Sequence, residues 1–435
     1  VELLSPAGSL EKLRFAFAYG ADAAYLGVED FSLRARAGQI TGADGAEIRR
    51  IKGDKPVYGA LNIFFHNHDL DRLKAKEESL SALPLDAFIL SDLGPVRYLQ
   101  ETFPHRELHL STQASCLNIE AAKMYRDLGF TRLVLGREAN LADIAAVKNA
   151  VPDVELEVFV HGAMCMAYSG RCFISKHLTG RSANKGDCAH SCRWDLRLLQ
   201  NQSPVRTDDP PLVLEEKKRP GEYYPVEESE RYTTIMSSKD LNMIHHLGDL
   251  KSAGVDSIKL EGRMKSAYYV SMVTRSYRAA LDDLEASDPS HRSFTQELEY
   301  VSHREFSTGF YFDNQEIAAP NTEEYNISHV FMATIPPTEI AVKNKESIRC
   351  PEDVPPGSMP LDVRNSIYAE DELEVIGPDL PGQPLGEFQL IDQEGEKILR
   401  ADRDKTCFIR TPFPLKENYI LRKINPPYQK RTAER

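Results

Sequence analysis

From Val1 to about residue 270 the sequence keeps one rhythm: a short apolar run, a turn with a polar residue or glycine, then an amphipathic stretch. The apolar runs are Glu2–Leu4, Ala23–Gly27, Val57–Asn62, Ala87–Ser91, Leu108–Ser111, Arg132–Gly136, Leu156–Val160, Thr233–Met236 and Ser257–Leu260. Between them lie helical patterns such as SLEKLRFAFAYG, where Leu10, Leu13, Phe15, Ala16 and Phe17 crowd one broad face, and NIEAAKMYRDLG and LADIAAVKNA. Strands that alternate with helices of this length pair in parallel through right-handed crossovers. The number of units implies an α/β fold, a distorted (β/α)8 TIM-like barrel. An open doubly wound sheet is the second choice, because SPAGSL after the first strand has one glycine and no dinucleotide-type phosphate loop. The runs outnumber the strands of such a barrel, so one is expected outside it.

Two segments interrupt the rhythm. A cysteine-rich insertion over residues 161–232 ends in RWDLRLLQNQSPVRTDDPPLVLEEKKRPGEYYPVEESERY, whose proline pairs and mixed charge suit a hairpin or loop. After YYVSMVTRSYRAALDDLEA the composition changes, and short alternating strands recur: HVFMATI, TEIAVKN, ELEVIG, EFQLID, CFIRTPF and NYILRKI. The expected organisation is a barrel over 1–290, a linker and motif segment over 291–330, and a small all-β barrel or sandwich over 331–435.

Net charge is −13, from 53 basic and 66 acidic residues. Binding to a polyanion runs on Lys/Arg neutralisation, so a nucleic-acid partner would have to meet a local basic face. Arg137, Lys239, Arg263, Arg422, Lys423 and Lys430 are the candidates for one. Tyr168 and Trp194 could add base stacking, although packing roles suit both. No apolar run is long enough to span a bilayer. The opening residues lack the basic and apolar regions of a secretory leader. The odd count of 7 cysteines suits a reducing compartment. A cytoplasmic location is the expectation.

Four of those cysteines, Cys165, Cys172, Cys188 and Cys192, lie in HGAMCMAYSGRCFISKHLTGRSANKGDCAHSCRW, whereas Cys116, Cys350 and Cys407 are scattered. Gathered thiolates are the usual protein half of an iron–sulfur cluster or a structural zinc. Zinc knuckles favour closely spaced pairs, and only CAHSC supplies one, so a cluster comes first and zinc second. Packing as small core hydrophobes does not suit the Ser, Gly, Arg, Lys and Asp around them.

Chemistry in a (β/α)8 barrel sits at the C-terminal strand ends. Those positions hold Ser5, Asn62, Asp92, Thr112, Gln113, Arg137, Glu138, His161, Lys239, Asp240, Glu261 and Arg263. Salt bridges closing the barrel mouth would explain the Arg/Glu and Lys/Asp neighbours equally well. Together the residues imply a polar cavity, and the cysteine segment starts beside it at His161. His66 and His68 form an H-x-H pair that reads better as a solvated turn, and His245–His246 as surface. Neither G-x-S-x-G nor H-E-x-x-H occurs.

The segments ELLSPAGSLEKLRFAFAYGADAAYLG, FSLRARA, VYGALNIFFHN, LVLGREA, VFVHGAMCMAYSGRC, GDCAHSCRW, TIMSSKDL, IKLEGRMKSAYYV and HREFSTGFYF together resemble the collagenase-like peptidase family. The resemblance runs from residue 2 to about 320 and is strongest to the branch that hydroxylates tRNA. It implies an oxygen-independent, prephenate-linked hydroxylation of a wobble uridine to 5-hydroxyuridine in the tRNA anticodon loop. An iron–sulfur cluster, 4Fe-4S in type, is implied with it. Some relatives carry a cluster cysteine just after SKDL; Asn242 stands there in this chain, which makes Cys192 the replacement ligand. The alternative is a metal-dependent peptidase whose four-cysteine site is structural. Oligomeric state is not legible.

Overall fold

The computed structural model describes residues 1–33, 39–164, 238–285, 294–312, 328–337, 354–403 and 405–425, with the backbone of short strands between 199 and 234. Its first part is built from β1 (Glu2–Pro6), α1 (Leu10–Ala18), β2 (Ala23–Gly27), α2 (Gly45–Lys52), β3 (Val57–Leu61), α3 (Asn67–Ala75) and α4 (Glu77–Ala82). There follow β4 (Ala87–Leu90), α5 (Val96–Thr102), β5 (Glu107–Leu110), α6 (Ile119–Asp127), β6 (Arg132–Val134), α7 (Leu141–Ala150) and β7 (Glu155–Ala163). Last come β8 (Asp240–Asn242), α8 (Leu247–Ser252), β9 (Ser257–Leu260) and α9 (Ala267–Glu285).

Strands β1 to β7 pair in sequence order, and β9 pairs in parallel with both β1 and β7, closing a (β/α)8 barrel. The expected barrel is therefore present. Thr233–Thr234 is the extra run: it pairs antiparallel with Glu227–Glu228 outside the barrel. Strand β8, unread in the sequence, lies antiparallel against the end of β7 and carries Phe306–Ser307 on its other side.

Local chemistry explains the helices. Ser9, Asn118 and Asn140 accept the Lys12, Ala121 and Asp143 backbone N–H groups, which caps α1, α6 and α7. The strand faces pointing outward bury Leu3, Leu26, Leu61, Phe88, Leu110, Leu133 and Val158 against the helices. The inward faces hold a second apolar cluster, Leu4, Ala23, Tyr25, Tyr58, Ala60, Ala87 and Ile89.

The floor of the barrel is ionic. Glu157, fully buried, accepts from Lys259 Nζ at 2.6 Å and from the Arg132 guanidinium at 3.2 Å. Arg132 also reaches Glu2 and Glu155, and Tyr58 and Ser257 donate to Glu2. Burial alone would raise the Glu157 carboxyl. Lys259 and then Arg132 more than reverse that, holding it below the usual carboxylate range. Glu2, Arg132 and Glu155 begin their strands, and Glu157 and Lys259 are each the third residue of theirs.

The C-terminal part is an eight-stranded antiparallel sheet running, in spatial order, Leu380–Pro384, Glu374–Gly377, Ile420–Ile424, His329–Thr334, Met359–Val363, Cys407–Arg410, Gln389–Ile391 and Lys397–Ile398. It packs around Val375, Leu361, Leu390, Ile409 and Leu421. Polar side chains tie it to the barrel. Arg275 on α9 donates to the Gly377 and Leu380 carbonyls, both at 2.7 Å, and Tyr19 donates to Asn418 O at 2.9 Å. Arg422 bonds Glu297, Glu374 and Tyr268.

Candidate active site at the barrel mouth

Three neighbouring strand ends form one polar cluster. Asn62 follows β3, Ser91 follows β4, and Ser111 follows β5 and opens the 3-10 turn Thr112–Ala114. Asn62 Oδ1 accepts the Leu33 backbone N–H at 3.0 Å, and its Nδ2 donates to Gln113 Oε1 at 3.3 Å. The Ser111 hydroxyl donates to the same oxygen, which lies 3.5 Å from Ser91 Oγ. Ser115 ends the turn in the left-handed region at φ 55, a conformation unusual for a residue other than glycine. Asp92, expected at the site, instead braces the mouth loops by accepting the Phe65 and Gly94 backbone N–H groups.

Across the mouth, Arg137 donates to the Ala163 carbonyl at 2.8 Å and pairs with Glu261 at 3.3 Å. Its guanidinium lies 4.0 Å from the Phe159 ring centroid, a cation–π contact. One Glu138 carboxylate oxygen is buried without a hydrogen-bond partner among the described residues. Arg263 donates to Ser32 Oγ at 2.6 Å and to the Leu33 carbonyl. Gly27 makes room for it: a Cβ there would lie 2.7 Å from the guanidinium.

His161 is buried on β7 in a cage of Tyr269, Tyr277 and Phe306. Tyr277 donates to Val160 O at 2.8 Å, and its oxygen lies 3.4 Å from His161 Nδ1. That pattern puts the imidazole proton on Nδ1, leaving Nε2 an acceptor without a partner among the described residues. Burial drives the imidazole down to about 3 against the opposing pull of Asp240, so the ring is neutral. Gly162 follows at φ +105, where a Cβ would crowd the Glu261 carbonyl and Tyr269. The strand turns there to meet β8.

A clamp sits where β7 ends. Arg304 bonds the Asp240 carboxylate through Nε at 3.0 Å and through its terminal nitrogen at 2.7 Å, and its backbone N–H adds a third bond. Burial would raise the Asp240 carboxyl, but Arg304 outweighs it and holds the group low. The guanidinium also contacts Ser238 Oγ and the Met164 carbonyl. Ser238 Oγ donates to Met164 O at 2.7 Å. Cys165, Cys172, Cys188 and Cys192, with Tyr168, Trp194, Cys350 and Lys430, lie outside the described residues. Met164 and Ser238 bracket the four cysteines.

The mouth charges do form salt bridges, but with partners distant in sequence rather than with their neighbours. Arg137 pairs with Glu261, Lys239 with Glu305, Asp240 with Arg304, and Arg263 bonds Ser32. The proposed basic face also needs correction. Arg422 is 2% exposed and held between acidic partners, Lys423 pairs with Asp371, and Arg263 is buried. Arg422 faces inward from its strand, whereas Lys423, on the opposite face, is neutralised by Asp371. His66 and His68 are exposed at the start of α3, their rings 5.8 Å apart, and His246 pairs with Asp249. Sequence reasoning missed Arg304, Ser238 and Tyr277; Arg304 and Ser238 stand inside HREFSTGFYF and TIMSSKDL, two of the segments that carry the family resemblance. Among the described residues no three His, Cys, Asp or Glu side chains gather to hold a metal ion, and no helix is long and apolar enough to cross a membrane.

Residues 8–320 match the model of Peptidase family U32, and residues 351–422 match the Peptidase family U32 C-terminal domain. The chain belongs to peptidase family U32. This U32 protein is 39% identical over 335 residues to tRNA hydroxylation protein P of Escherichia coli (strain K12), covering 71% of this chain and 74% of that one. It is 33% identical over 433 residues to tRNA hydroxylation protein P1 of Bacillus subtilis (strain 168), covering 98% and 93%. It is 38% identical over 284 residues to the 23S rRNA 5-hydroxycytidine C2501 synthase of Escherichia coli (strain K12), covering 65% of this chain and 39% of that one.

Proposed function

We propose that this U32 protein is an RNA-modifying enzyme that hydroxylates C5 of a wobble uridine in the tRNA anticodon loop, in the cytoplasm. The observation that carries the reading is likeness along nearly the whole chain to a protein named for tRNA hydroxylation. The mouth supports it with uncommitted hydrogen-bonding groups on several strand ends, as a polar planar substrate requires.

Replacing C5–H by C5–OH takes two electrons from the base. A donor R–OH that leaves as R–H supplies the oxygen and takes up that pair, so molecular oxygen is not needed. Prephenate, or a small molecule derived from it, is the proposed donor. Glu138, which follows β6 and has one carboxylate oxygen without a hydrogen-bond partner among the described residues, would accept the C5 proton. His161 is too weak a base for that and serves as a fixed hydrogen-bond acceptor.

Cys165, Cys172, Cys188 and Cys192 would hold an iron–sulfur cluster, 4Fe-4S in type. Four thiols in a polar segment are the donor set such a group needs, and Met164 and Ser238, the described residues on either side, meet at the end of β7. When bound, the cluster supplies one-electron chemistry. The test is anaerobic: reconstituted protein, unmodified tRNA and prephenate, with nucleosides read by mass spectrometry. 5-Hydroxyuridine is expected; its absence from protein carrying a full cluster contradicts the reading.

A further inference from the structure

Gln113 carries an amide whose orientation the surrounding bonds determine. Asn62 cannot flip, because its Oδ1 accepts the Leu33 backbone N–H at 3.0 Å. Its Nδ2 therefore faces Gln113 and requires an acceptor there, which fixes Oε1 toward the strands at 3.3 Å. The Ser111 hydroxyl donates to that same oxygen. Gln113 Nε2 must then point the other way. The side chain is half-buried, and among the described residues its side-chain hydrogen bonds all run through Oε1, none through Nε2. A locked donor with its acceptor face already used is thus presented at the ends of β3, β4 and β5.

We propose that Gln113 Nε2 selects the base in this site by donating to a carbonyl oxygen, and so reads uracil against cytosine. This rests on the RNA reading above. The two pyrimidines present the same C5–H and differ at the adjacent C4, where uracil has an acceptor oxygen and cytosine a donor amine. A fixed NH2 group meets the oxygen with a hydrogen bond and the amine with two opposed donors. Leaving a partly buried donor unmatched is what gives polar sites their selectivity. A freely rotating glutamine would offer oxygen or nitrogen at will and would not discriminate. The brace from Leu33 through Asn62 removes that freedom.

The isosteric substitution Q113E tests it. Glutamate keeps an oxygen facing Asn62 and Ser111 and turns the outward group from donor to acceptor; the negative charge it adds meets both stem–loops alike, so the ratio of the two affinities is the readout. Two anticodon stem–loops, identical except for uridine or cytidine at the wobble position, are titrated against wild type, Q113E and Q113A by fluorescence anisotropy. Wild type is expected to favour the uridine form by about tenfold or more, corresponding to at least about 1.4 kcal/mol. Q113A should bring the ratio close to one, and Q113E should turn it toward cytidine. A wild-type preference for uridine that neither variant moves, with melting temperatures unchanged, overturns the assignment of Gln113. A wild type that binds neither stem–loop overturns the RNA reading itself, and the assignment falls with it.

Discussion

Ser238 Oγ donates to the Met164 carbonyl at 2.7 Å, which joins the two residues that bracket the four-cysteine segment. Arg304 contacts both of them and is anchored in turn by Asp240. The segment therefore leaves and rejoins the barrel at one point, against the end of β7.

Arg304→Ala leaves the buried Asp240 carboxylate without its partner. Loss of one member of a buried pair costs about 3–5 kcal/mol, so a large fall in denaturant midpoint is expected. Arg304→Lys should recover part of it, because an ammonium cannot reproduce the two-nitrogen grip. Equal stability of the alanine variant and wild type in a urea titration would count against the clamp.

The barrel floor makes a pH-dependent prediction. Burial raises the Glu157 carboxyl, Lys259 and Arg132 lower it further than that, and the net folded value lies below the unfolded one. Its contribution is thus fully present above the ordinary carboxylate range and is lost as pH falls through the lowered folded value. Glu157→Gln should be less stable than wild type at neutral pH by about 3 kcal/mol or more, and the gap should narrow under acid conditions. Thermal melts across pH check this, and a gap that widens toward acid would contradict it.

Arg422→Glu separates docking from RNA binding. Arg422 is held by Glu297, Glu374 and Tyr268, so reversal places three acidic groups together in a buried site. The variant should lose the packing of the C-terminal sheet on the barrel, seen as earlier melting and faster proteolysis. Unchanged melting with a flattened salt dependence of tRNA binding would restore Arg422 to the RNA face.

For the proposed cluster, Ala substitution at Cys165, Cys172, Cys188 or Cys192 should abolish iron content and visible absorption. Cys116→Ser and Cys407→Ser should not; both thiols are buried in the described structure, and burial pushes Cys116 up to about 11. Anaerobic iron and sulfide analysis decides it. Full iron in Cys192→Ala would move the fourth ligand elsewhere.

The barrel was legible because its signal is local: each β/α unit announces itself through an apolar run and a capped helix, as in Ser9 with α1. Strand ends could be read as a set for the same reason, and Asn62, Gln113, Arg137 and Glu138 do lie at the mouth. Pairing was not legible. Arg304 meets Asp240 from 64 residues away, and Arg137 meets Glu261 from 124 away, and nothing local marks either partner. Strand β8 was missed because Asp240-Leu-Asn is too short and too polar to stand out, and it forms only against the turned end of β7. The inward turn of Arg422 was invisible because a basic residue within a strand reads the same on either face.

The central claim is tested most directly in cells. An Escherichia coli strain lacking its own tRNA hydroxylation protein P is grown without oxygen and supplied with this chain, and its tRNA nucleosides are measured by mass spectrometry. The account predicts that 5-hydroxyuridine or its derivatives return, and that Cys165→Ala fails to restore them. Well-expressed wild-type protein that restores none would contradict it.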